Sequence, residues 1–135
     1  KAVPLSVNKQ FVEIENNTEQ YVGGMVPYSS DFNEEIIDVA VKACESLEGL
    51  KGFVGVDLRV NPCEGEMYNV YLIEINSRFT TPYVGLQKIA NFNIAKSIID
   101  LIDGNISHED LEKIISFDGH IEFKKDGEKL ILKEF

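Results

Sequence analysis

Basic residues are scarce. The chain of 135 residues carries 13 lysines and arginines against 23 aspartates and glutamates, a net charge of −10. No basic stripe exists to displace phosphate counterions, which argues against non-specific nucleic-acid binding. The same deficit argues against docking on anionic membranes. Cysteine is rarer still. Cys44 and Cys63 show no metal-ligand spacing and no partner motif, so a disulfide framework or thiolate metal site is not indicated. Cys44 falls on the apolar face of an expected helix and Cys63 in an expected hairpin loop, the pattern of a reducing cytoplasm. The two histidines, His108 and His120, have no metal-ligand companion. No apolar run approaches a membrane span, no signal-peptide architecture is visible, and neither internal repeats nor low-complexity segments occur. The chain opens at Lys1 rather than Met, as a piece of something longer would.

What is present reads as a folded domain. Forty-four per cent of the residues are apolar, with regular periodicity, and the length suits one domain with a real core. Ala2–Val7 is short strand material, demoted by Pro4. Phe11–Ile14 alternates, Asn16-Asn17-Thr18 signals a turn, and Tyr21–Pro27 is apolar but broken by Gly23-Gly24. Residues 31–49 predict a helix capped by Ser30 or Asp31, with Ile36, Ile37, Ala40, Val41, Cys44 and Leu47 on one stripe. Residues 86–102 predict another, bent at Asn91-Phe92-Asn93, after Pro82 holds Thr81 extended. Ser107 should cap a short helix through Ile115, and Asp126-Gly127 should close a hairpin over 120–133. The fold class expected is α+β, an antiparallel sheet packed by two main helices, with a short C-terminal helix and a β-hairpin.

The informative stretch is 53–85. It reads as two strands around a loop at Asn61–Met67, then an irregular polar segment. Strict alternation puts Phe53, Gly55, Asp57 and Arg59 on one face of the first strand. On the second it groups Tyr68, Val70, Leu72, Glu74 and Asn76, against Asn69, Tyr71, Ile73 and Ile75. Antiparallel pairing then brings Asp57 near Glu74. Two carboxylates and an amide oxygen converge at one sheet end, just before Arg78, and a divalent cation would relieve their repulsion. Magnesium takes such oxygen ligands together with phosphate oxygens and water. Glu74 and Asn76 also interrupt an apolar Leu-Ile-x-Ile strand, where a merely structural role would favour apolar groups.

Gly55-Val56-Asp57-Leu58, a short loop, then Tyr71-Leu72-Ile73-Glu74-Ile75-Asn76-Ser77-Arg78 closely resembles the C-terminal half of the ATP-grasp ligase core. Thr80-Thr81-Pro82-Tyr83-Val84-Gly85-Leu86 and Asn93-Ile94-Ala95 continue the resemblance, which covers about residues 1–103 and leaves 104–135 as a helix-plus-hairpin extension of the same domain. The wording is nearest to archaeal ligases of the tyramine–glutamate type, used in methanofuran synthesis. The resemblance implies an ATP-dependent carbon–nitrogen ligase that activates a carboxylate as an acyl phosphate for an amine, with glutamate and tyramine as candidate substrates.

It further implies that Asp57, Glu74 and Asn76 hold two Mg2+ or Mn2+ ions on ATP, and that Arg78 meets the transferred phosphate. Asn8, Gln10, Thr80 and Thr81 are candidate substrate contacts. Two departures stand out: Ser77 replaces a stiffening proline before Arg78, and Arg59 occupies a position where the family tends to place an apolar residue against adenine. The family's earlier half, with its glycine-rich phosphate lid and nucleotide-gripping lysines, is not in this sequence, so these residues alone imply a folded piece with little ligase activity. A non-catalytic binding or regulatory module, and an interaction domain assembling through 104–135, remain open, as do oligomeric state, including a homo-oligomer, and the choice of ion.

Overall fold

The computed structural model describes residues 1–63, 68–127 and 129–135. Residues 1–8 carry no regular structure, so the strand expected at Ala2–Val7 does not form; the Tyr28 N–H instead donates to the Val7 carbonyl at 2.7 Å. Pro4 lacks the N–H that a ladder needs. Strands β1 (Lys9–Glu15) and β2 (Thr18–Val26) form a hairpin whose two turn residues, Asn16 and Asn17, both have positive φ. That is the twist-matched two-residue turn, and asparagine tolerates it. Glycine between Tyr21 and Pro27 serves close approach: a β-carbon on Gly24 would fall 2.5 Å from the Lys9 carbonyl oxygen.

Helix α1 (Asn33–Glu45) follows. Its expected cap is not used. Phe32 occupies the cap position without a side-chain bond, and Asn33 Oδ1 instead accepts from the Ser30 N–H and hydroxyl. None of the α1 residues is deeply buried, although Ile36, Ile37, Ala40, Val41 and Cys44 are half-covered as the stripe requires. Strands β3 (Gly55–Pro62) and β4 (Tyr68–Asn76) pair antiparallel. The centre of the loop joining them, Glu64–Met67, lies outside the described residues.

The expected bent helix is two helices, α2 (Pro82–Ile89) and α3 (Ile94–Ile102). Thr81 is helical rather than extended (φ −49°, ψ −39°), because Pro82 sits at the first helical position, where its missing N–H costs nothing. Ala90 turns extended and bridges Phe117, and Asn93 recaps the chain by accepting from the Lys96 N–H. Helix α4 (His108–Ile114) carries a full capping box between Ser107 and Asp110, and the Ser107 hydroxyl and N–H hold the Asp110 carboxyl below its usual range. Strands β5 (Ile121–Asp126) and β6 (Lys129–Glu134) close around Gly127.

The strands form two sheets, β1-β2-β5-β6 and β3-β4, both antiparallel, so the class is α+β. Because β5 pairs with β2, the C-terminal hairpin lies inside the main sheet. Val26, Leu86, Ile89, Ile94, Ile121 and Phe123 make the core between that sheet and α2–α3. Among the described residues no helix is long and apolar enough to cross a membrane.

Candidate cation and phosphate site

The site begins with the β3–β4 register. Gly55 pairs with Asn76, Val56 with Ile75 and Asp57 with Glu74; beyond a shift in register, Leu58 pairs with Leu72 and Arg59 with Tyr71. Ile73 is therefore a bulge. Directly opposed residues share a face, their β-carbons about 4.5–5.5 Å apart. Asp57, Glu74, Gly55 and Asn76 thus lie together, as the sequence implies. The bulge corrects the rest of the alternation: Leu72 joins Leu58 on the opposite face, and Tyr71 joins Arg59 on the carboxylate face. Such an extra residue re-aims the side chains beyond it. It lets one end of β4 serve α1, whose Phe32 ring packs 4.5 Å from Tyr68, while the other end turns Glu74 towards Asp57.

Amides surround the Asp57 carboxylate. Gln10 Nε2 donates to Oδ1 at 3.1 Å, and Asn76 Nδ2 approaches Oδ2 at 3.4 Å. Like Ser97, Asn76 is buried. Its carbonyl accepts from the Arg78 N–H at 2.8 Å, a tight turn that sets Arg78 at the strand end. The exposed Arg78 guanidinium donates through Nη1 to the Phe79 carbonyl at 3.3 Å. Thr80 is packed against the glycine of β3: a β-carbon on Gly55 would lie 2.4 Å from Thr80 Cγ2, so only glycine lets this loop close over the sheet. Asn8, Gln10, Asp57, Glu74, Asn76, Arg78, Thr80 and Thr81 all line a single cavity. Asn8 accepts from the Ser6 hydroxyl at 3.1 Å, and Lys9 leans over the Tyr28 ring.

Two contacts were not readable from the sequence. One is Gln10 on Asp57. The other is an ion pair between Arg59 and Glu19, 2.5 Å across, and this bond to Glu19 raises the guanidinium pKa above its ordinary value. Both tie the β1–β2 hairpin to β3, across 47 and 40 residues of chain. The histidines stay clear of the site's polar contacts, with His120 stacked on Phe135 at 5.0 Å.

Among the described residues no three His, Cys, Asp or Glu side chains gather as a metal cluster. The donor set here is two carboxylates and an amide. That composition suits magnesium or manganese, which commonly bind through one or two carboxylates and complete their shell with phosphate oxygens and water. It does not suit zinc, for want of imidazole or thiolate.

Residues 1–82 match a family model described as an ATP-grasp domain. The chain belongs to the ATP-grasp family. The matched segment takes in every candidate residue from Asn8 to Thr81 and stops at the start of α2. Tyramine–L-glutamate ligase of Methanocaldococcus fervens is 35% identical over 111 residues, 82% of this chain and 33% of the relative. Tyramine–L-glutamate ligase of Methanocaldococcus jannaschii is 33% identical over 132 residues, 98% of this chain and 35% of the relative. The ATP-grasp chain thus spans about a third of the length of the curated relatives it matches. No solved structure matches it.

Proposed function

We propose that this chain supplies the cation- and phosphate-binding part of an ATP-dependent carboxylate–amine ligase. The observation that carries the reading is the meeting of Asp57, Glu74 and Asn76 on one face at the end of β3–β4, with Arg78 two residues beyond, inside the segment that matches the family. The Asp57 and Glu74 carboxylates and the Asn76 carbonyl oxygen would hold two divalent ions, Mg2+ or Mn2+. Bound there, the ions neutralise phosphate oxygens and align the reacting groups.

Arg78 offers a planar fork to the phosphate being transferred, a contact that matters most as charge develops. Its exposure and its single backbone contact leave the guanidinium free to turn towards a ligand. Thr80, Thr81 and Asn8, which line the same cavity, are proposed to meet the substrates. In the reaction the carboxylate oxygen attacks the terminal phosphorus and ADP leaves. The amine nitrogen then attacks the acyl carbon and phosphate leaves. The printed names of the relatives support glutamate as the carboxylate and tyramine as the amine.

The remaining two thirds of a ligase of the relatives' length would supply the nucleotide-gripping segments, so this chain alone is expected to turn over little ATP. The test joins it to that remainder and follows ADP release. Release that requires carboxylate and amine together supports the ligase; nucleotide binding without release when both are present supports a non-catalytic module instead. Rapid release by the 135-residue chain alone would contradict the division of labour.

A further inference from the structure

One of the polar bonds that join the two sheets lies beside the carboxylates. Gln10 belongs to β1 of the four-stranded sheet and Asp57 to β3 of the two-stranded one, yet Nε2 reaches Oδ1 at 3.1 Å. The other Asp57 oxygen faces the Asn76 amide at 3.4 Å. Carbonyl and amino groups of an asparagine side chain are nearly interchangeable in shape, so a half-turn of the Asn76 amide replaces its donor by an acceptor. Asp57 Oδ2 and Asn76 Oδ1 then form the pair of oxygens a cation can use. Gln10 has no such duty. It can keep its bond to Oδ1 while Oδ2 changes partner.

We infer that Gln10 is a positioning residue for this site: by holding Asp57 Oδ1 it fixes the carboxylate plane and reserves Oδ2 for the cation. The inference rests on the cation reading above. It replaces the sequence expectation that Gln10 touches substrate, and it gives the β1–β2 hairpin a part in the site. The strand is well placed for this. Gln10 pairs with Gly24, and the missing β-carbon there lets the two backbones close. The Glu19–Arg59 ion pair seats the far end of the same hairpin on β3 without touching Asp57. Outer-shell partners that orient a ligand are worth about 10–100-fold in metal affinity. For an exposed bond the lower end of that range applies.

The test uses the 135-residue chain and Mn2+ alone, with the free ion counted by electron paramagnetic resonance. Gln10→Met keeps length and removes the donor. It should weaken Mn2+ binding by about tenfold, with the melting temperature held. Since a loosened carboxylate tolerates the larger ion better, displacement of Mn2+ should also shift in favour of Ca2+ over Mg2+. Glu19→Gln, which frees the hairpin tip only, should leave both readings unchanged. Equal Mn2+ affinity in Gln10→Met overturns the inference alone, as does an unmoved Ca2+ to Mg2+ ratio. Equal loss in Glu19→Gln would show that only hairpin seating matters, and overturns it too. No Mn2+ binding by the unsubstituted chain overturns the cation site and this inference with it.

Discussion

Glu74→Gln should abolish cation binding while leaving the fold as stable as before or more so. Glu74 and Asp57 are direct cross-strand neighbours, and like charges in that position destabilise a sheet by about 0.2–1 kcal/mol. Neutralising one removes that repulsion from the ion-free protein, so the melting temperature should hold or rise. Mn2+ affinity should fall by more than the roughly 10–100-fold that loss of an outer partner costs. In a complete ligase, ATP turnover should drop at least as far as the ~10²–10³-fold seen when one charge-stabilising donor is lost. Asp57→Asn should behave alike towards the ion. A residue retained only to support the strand would give the reverse pattern, lower stability with unchanged ion binding.

Leu86→Ala should be the most damaging single truncation of the fold. Leu86 is 1% exposed and sits with Val26 and Ile121, the three most deeply buried large side chains, where α2 meets β2 and β5. Loss of a fully buried leucine costs about 2–5 kcal/mol, transfer and cavity terms together. Against total stabilities of about 5–15 kcal/mol for a domain, that is a large fraction. Urea denaturation followed by circular dichroism should show a much lower midpoint and an unchanged slope. Ile131→Ala, at a residue 54% exposed on β6, should shift the midpoint little. A loss below about 1 kcal/mol at Leu86 would mean that the core described here does not hold α2 on the four-stranded sheet.

Local signals in the sequence carried far. Asn16-Asn17 and Asp126-Gly127 mark their hairpins because few residues accept positive φ, and the Ser107 box marks the start of α4. Glu74 and Asn76 were visible as polar interruptions of an apolar strand. What escaped was set by distant chain. The pairing of β2 with β5, which puts the C-terminal hairpin into the main sheet, joins segments about a hundred residues apart, and no local pattern encodes it. The bulge at Ile73 escaped because Leu-Ile-Glu-Ile alternates acceptably in either register. The starts of α1 and α2 differ from expectation for a related reason: Asn33 and Pro82 each offer a better local solution than the nearest serine or an extended threonine. From the sequence Gln10 is a candidate substrate contact, because its bond to Asp57 depends on β1 lying beside β3, 47 residues away along the chain.

The account stands on Asp57, Glu74 and Asn76 meeting in one cation site. Crystals of the chain soaked with Mn2+ and ATP, with diffraction recorded at an anomalous manganese wavelength, test this directly. The account predicts anomalous density for two ions among Asp57 Oδ2, the Glu74 carboxylate and the Asn76 side-chain oxygen, with phosphate oxygens completing the shells. A peak elsewhere, with these three side chains unmoved, would contradict it.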